Sequence, residues 1–226
     1  MGIITALEVQ KRNKERVNVY LDGEYAFSVT LIEATRLKKG QQLTEADIRA
    51  LKDTDEINKA FERAVNFLTS RPRSEAEVRR NLLTKDVPEP VIDSVIARLH
   101  SMGYLDDLAF ARYWLENRDA FKPRGSMALR YELRQKGIAN SIIDTVLEDF
   151  DSSDAAYRAA VDKARRLRGS TYQEFRTKLG SFLQRRGFNF ATSRDVIEQL
   201  SSELTQEEPD FFAEADNDDE DFGSQL

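Results

Sequence analysis

Apolar and polar residues alternate over the first thirty positions, whereas beyond residue 57 the apolar ones recur every three or four. These two periods predict strands followed by helices. ITALEV, VNVYL and YAFSV read as strands, the last two flanking Asp22-Gly23, a hairpin signal. A two-residue loop there would set Val17 and Val19 with Ser28 and Ala26. A three-residue loop, Leu21-Asp22-Gly23, pairs Val19 with Tyr25 and Val17 with Phe27; it makes one apolar face and is the register expected. Short helical stretches near 31–38 and 44–52, the second opened by Thr44 as N-cap, would cover so small a sheet.

The helical part repeats itself. Residues 71–99 align with 122–150 over 29 positions without a gap, and eight are identical, among them Pro72/Pro123, Arg73/Arg124, Arg79/Arg130 and Asp93/Asp144. A further step of 50 brings in FLQRRGF and RDVIEQL, with Thr192 and Ser193 standing where the other copies have apolar pairs. Three copies of a unit of about 50 residues are a repeat array. Each copy reads as three helices, in the first near 57–70, 74–84 and 89–101. Ser74 with Glu77 forms a capping box, and Asp86, Gly137 and Gly187 share a turn position suited to the left-handed conformation. The fold class expected is mainly α: three tandem three-helix repeats in an elongated array behind a small β-hairpin-containing domain. The divisions expected are 1–56, 57–106, 107–152, 153–202 and an acidic tail, 203–226.

Around the shared turn, Arg79 and Asp93 lie seven residues either side of Asp86, as Arg130 and Asp144 do around Gly137. Such positions come level in an antiparallel helix pair, so both should be ion pairs serving the fold. In the third copy the places fall to Gly180 and Arg194, and both members are lost together.

Composition narrows the chemistry. The 226 residues include no Cys and one His, which excludes disulfides, thiolate metal sites and cysteine nucleophiles and leaves no plausible His-based zinc site or Ser-His-Asp triad. No glycine-rich phosphate loop is present. His100 is expected at a helix end, exposed or against the dipole, and Trp114 as a core anchor. No stretch reaches about 18 uninterrupted apolar residues, so a soluble, cytoplasmic, non-enzymatic monomer without cofactor or metal is expected.

The net charge of −6 conceals a segregation. Ten of the 40 acids fall within 203–226, which has no base, leaving 34 bases against 30 acids in 1–202. The bases group: Arg71 and Arg73 match Lys122 and Arg124 ahead of each second helix; Lys163, Arg165, Arg166 and Arg168 end the third copy's first helix; Arg185 and Arg186 precede Gly187. They are the candidate contacts for phosphates or acidic protein surfaces. The tail, with Pro209 and few β-branched residues, is expected to be disordered. Its acids are interleaved with Phe211, Phe212 and Phe222, and two readings stand: a solubilising tail, or one that folds back over the basic third copy.

RPRSEAEVRRNLL, VIDSVIARLHSMGYLDDLAFARYWLENR and KPRGSMALRYELRQKGI, in that order over about 57–200, resemble the RecX family, bacterial regulators of the RecA recombinase. The resemblance implies three tandem three-helix repeats, in agreement with the period above. It also implies binding in the groove of the RecA filament on single-stranded DNA, and inhibition of strand exchange, ATP hydrolysis and repressor co-cleavage. Single-stranded DNA itself would be touched indirectly or weakly. The alternative is a helical-repeat protein that binds DNA directly; a third class is a generic adaptor.

Overall fold

A computed structural model describes residues 1–214 and divides the chain into two units, Met1–Asp106 and the part from Asp107 onward. In the first, strands β1 (Gly2–Val9), β2 (Arg16–Leu21), β3 (Glu24–Thr30) and β4 (Gln42–Leu43) form an antiparallel sheet in the order β3-β2-β1-β4. Asp22 and Gly23 both take positive φ, 52° and 92°, as a two-residue hairpin turn requires, so Leu21 faces Glu24 and not the residue expected. A bulge at Ala26 then shifts the register, setting Val19 against Phe27 and Val17 against Val29. All four are buried. The single apolar face that the register had to provide is achieved by a bulge instead of a longer loop.

A short helix, α1 (Leu31–Ala34), precedes β4. Helix α2 then runs unbroken over Glu45–Leu68, so the expected division at 56 falls inside it. No Pro or Gly stands between 45 and 68 to stop it. Thr44 and Asp47 form its capping box. The Arg16 guanidinium on β2 pairs with the Asp55 carboxylate on α2, both buried, while Arg16 also donates to Ser28 Oγ (2.7 Å) and Lys59 reaches Asp55 at 2.7 Å. The sheet and the helix are thus tied by a buried charge pair.

Helices α3 (Glu75–Leu83) and α4 (Glu89–Ser101) complete the first repeat with the distal half of α2. Its core holds Ala60, Ala64, Val78, Leu82, Ile92, Val95 and Leu99. The second unit holds α5 (Asp107–Phe121), α6 (Ser126–Gln135) and α7 (Asn140–Glu148), then α8 (Ser152–Arg165), α9 (Tyr172–Arg185) and α10 (Phe190–Glu207). Asp86, Gly137 and Gly187 all have positive φ, as the shared turn position requires. Phe150 packs against the cores of both repeats in this unit. In the third, Ala155, Ala156, Ala160 and Ala164 let α8 lie close to α10, and buried Ser193 occupies the place of an Ile in the other two.

Disorder from 203 onward does not hold over 203–214. Residues 203–207 belong to α10, Leu204 is buried, and Phe211 is 3% exposed within the third core. The aromatic side chains supply the apolar area that a count of charges overlooks. The remainder of the expected tail, with Phe222, lies outside the described residues.

The second and third repeats meet at two glycines. Gly125 N donates to Arg186 O (3.0 Å) and Met127 N to Gly187 O (3.3 Å). A Cβ at 125 would overlap the Gly187 carbonyl, and one at 187 would stand 2.6 Å from Ala128 N. We expect Gly125→Ala to destabilise the protein by about 1–3 kcal/mol through overpacking. Gly180, inside α9, has only Ile197 Cδ1 at 3.7 Å from its would-be Cβ. Gly180→Ala should therefore stabilise by about 0.5–1 kcal/mol. Denaturant unfolding of the two variants against the parent reads both signs.

Candidate partner-binding surface

The candidate bases divide by what already holds them. Arg71 donates to both Glu77 oxygens (3.1 and 2.9 Å) and to Pro72 O, so it braces the capping box of α3. Arg73 lies over the Phe67 ring, 4.1 Å from its centroid, and donates to Ser70 Oγ. Burial lowers its pKa, and Arg71 beside it adds to the effect. Both side chains belong largely to the fold of the first repeat.

The matching loop of the second repeat is different. Lys122 is exposed, and Arg124 comes only to 3.9 Å from Glu132 Oε1. The other Glu132 oxygen accepts from Trp114 Nε1 (2.8 Å) and Arg118 Nε (2.7 Å). Trp114 is half-buried, stacked on Phe110 as a core anchor should be, with Arg118 and Lys136 over its ring. The glycine contact carries this loop to the α9–α10 turn, so Arg186 Nη1 donates to Pro123 O (3.3 Å). Burial lowers the Arg186 pKa, and the Arg124 guanidinium nearby lowers it further. Arg185, next in chain, is exposed. Lys122, Arg124, Arg185 and Arg186, some 60 residues apart in sequence, thus form one cationic patch. Two guanidiniums held together, one partly buried, are an arrangement that an anion relieves.

The α8 group is split. Lys163, Arg165 and Arg166 are exposed, whereas Arg168 pairs with Glu208 (3.0 Å) and Asp210 (3.3 Å). The two expected ion pairs are formed: Arg79–Asp93 at 2.7 Å and Arg130–Asp144 at 2.5 Å. Arg194 turns instead to Asp195. His100 is more constrained than expected, because its ring nitrogens face Leu105 O (3.0 Å) and Glu75 Oε2 (2.8 Å). Among the described residues no three His, Asp or Glu side chains converge on a metal-binding group, and no helix is long and apolar enough to cross a membrane.

Sequence reasoning missed Gly125 as the residue that assembles the patch. The signal was present in the repeat: RPRS in the first copy becomes KPRG in the second, so a capping Ser74 is replaced by a residue that cannot cap. Gly125 has no side-chain cap bond, and the neighbouring repeat's main chain takes that role.

Four family models match the chain: the regulatory protein RecX N-terminal domain over 2–44, and the first, second and third three-helix domains of RecX over 60–99, 106–147 and 151–197. Curated relatives include the regulatory protein RecX of Bacillus velezensis, 37% identical over 92% of this chain and 81% of the relative. That of Bacillus subtilis is 36% identical over 92% and 82%, and that of Listeria monocytogenes 32% over 89% and 77%. A crystal structure of regulatory protein RecX superposes with TM-score 0.73 at 30% identity, covering 89% of this chain and all of that one. The structure of RecX from Lactobacillus salivarius, at 22% identity and TM-score 0.61, shares the fold over 66% of this chain.

The Glu75 contacts make a testable point about structural bases. Burial raises the Glu75 pKa, but hydrogen bonds from His100 and Arg79 outweigh it and hold the carboxyl below its ordinary value. A depressed folded pKa gives stability that is present above the unfolded value and lost as pH falls through the folded one. Denaturant unfolding should therefore show the parent ahead of Glu75→Gln near pH 6, with the lead gone by about pH 3.

Proposed function

The chain belongs to the RecX family, and from that membership we propose that it regulates the RecA recombinase by binding the filament that RecA forms on single-stranded DNA. It acts by occupancy and not by catalysis, lowering the filament's ATP hydrolysis, strand exchange and co-protease activity. The observation that carries the reading is the family match over all four parts of the chain, from 2 to 197. The geometry adds where contact is made: the patch of Lys122, Arg124, Arg185 and Arg186 at the meeting of the second and third repeats. A filament offers identical protomers in series, so contacts from successive repeats sum through effective concentration.

The test is inhibition of RecA-type ATP hydrolysis and strand exchange, titrated with the full chain. Lys122→Glu, Arg124→Glu and Arg185→Glu together, with Arg186 kept for its bond to Pro123, should weaken inhibition about ten-fold or more, at roughly 0.5–1 kcal/mol per surface charge. Arg71→Ala, whose partner is an internal glutamate, should change it by less than about two-fold. Unaltered inhibition by the triple variant would remove the patch from the interface. No effect of the parent protein on the recombinase, together with tight, salt-steep binding to bare DNA, would replace the reading with direct DNA binding.

A further inference from the structure

The third repeat differs from the other two in what lies against the loop ahead of its second helix. After α10 a turn closes, with Phe211 N donating to Glu208 O (3.0 Å), and the chain then pairs with that loop. Gly169 N donates to Phe211 O (2.9 Å) and Ala213 N to Ser170 O (3.1 Å). Phe211 and Phe212 close edge-to-face on Phe175, at 6.1 and 5.2 Å between centroids, and Phe212 also meets Tyr172. The segment is thus held by main-chain bonds and by an aromatic anchor.

Its acids sit over bases. Glu208 and Asp210 both pair with Arg168, and a cavity of about 260 Å³ is lined by Arg165, Arg168, Leu204, Glu207, Glu208 and Phe211. In the first two repeats the corresponding loop carries Arg71 with Arg73 and Lys122 with Arg124, and no chain segment brings such acids to them. The two attachments differ in strength. Phe211 is buried and holds the segment in place. The Arg168 pairs are exposed, and each such pair is worth at most about five-fold in an equilibrium. A polyanion at high local concentration can displace the acids without unseating the aromatic anchor.

We propose that Glu208–Ala213 is an autoinhibitory strap, which keeps Arg168 and the neighbouring Arg165 from the phosphates of single-stranded DNA. The inference rests on the filament reading and adds its regulation: the third repeat contacts nucleic acid only where phosphates are dense enough to compete with the strap. Away from a filament the protein is held off bare strands.

The experiment is fluorescence anisotropy of a labelled oligothymidylate with the full chain over a salt series, no recombinase being present. Glu208→Gln with Asp210→Asn retains shape, anchor and main-chain bonds. It should bind about three- to ten-fold tighter at low salt, and its salt dependence should steepen by about one unit of slope as one phosphate contact is gained. Glu116→Gln with Glu148→Gln, exposed acids elsewhere in the second unit, makes the same change in net charge and should gain less than about two-fold. Arg168→Ala in the strap-neutral background should abolish the gain. Equal gains from the two charge-matched variants, or a gain that survives loss of Arg168, would overturn the strap and leave only general repulsion. That outcome would not touch the RecA reading, which stands or falls on inhibition of the recombinase, and a failure there would leave the strap measurement intact.

Discussion

A main-chain contact that only two glycines allow governs the second unit. Where Gly125 meets Gly187 there is no room for a Cβ on either side, so the carbonyls of Arg186 and Gly187 reach the first amides of α6 directly. A side-chain contact could slide by an ångström and survive; a backbone contact of this kind cannot, because interiors are already close-packed. The positions of Lys122, Arg124, Arg185 and Arg186 follow from it. Charges that the sequence scatters become neighbours, and a helix start that lacks its own cap is completed by the next repeat.

Against that frame of helices, the arginines fall into two populations. Some satisfy the fold: Arg16 with Asp55, Arg71 with Glu77, Arg79 with Asp93, Arg130 with Asp144 and Arg158 with Asp119. Others face outward with weak carboxylate contact or none recorded. Abundance of bases therefore says little about binding; what distinguishes the patch is the absence of a close acid. In the third repeat the acids are supplied by the chain's own continuation, so the same kind of loop serves different ends in successive copies.

The repeat, its turns and its ion pairs were legible in the sequence because each depends on local spacing. Positive φ at Asp86 and Gly137 is a matter of two or three residues, and Arg79 meets Asp93 by symmetry about that turn. What escaped depends on contacts over long separations. The bulge at Ala26 answers to burial across the sheet, and the Gly125 contact to a turn 62 residues on. Charge composition misread 203–214, because two phenylalanines finding an aromatic socket outweigh acids that stay in water. Continuity of α2 was hidden by its polar middle, KDTDE, which reads as a linker until Asp55 is seen to be buried against Arg16.

That helix has a mechanical meaning. Twenty-four residues at 1.5 Å each make a rod of about 36 Å, with the sheet bolted to one half and the first repeat packed on the other. A shared rod has no hinge. A force applied to the sheet is delivered to the first repeat as a torque, with nothing between them to bend. The strand-bearing part of this protein is less an appended module than the handle of a lever.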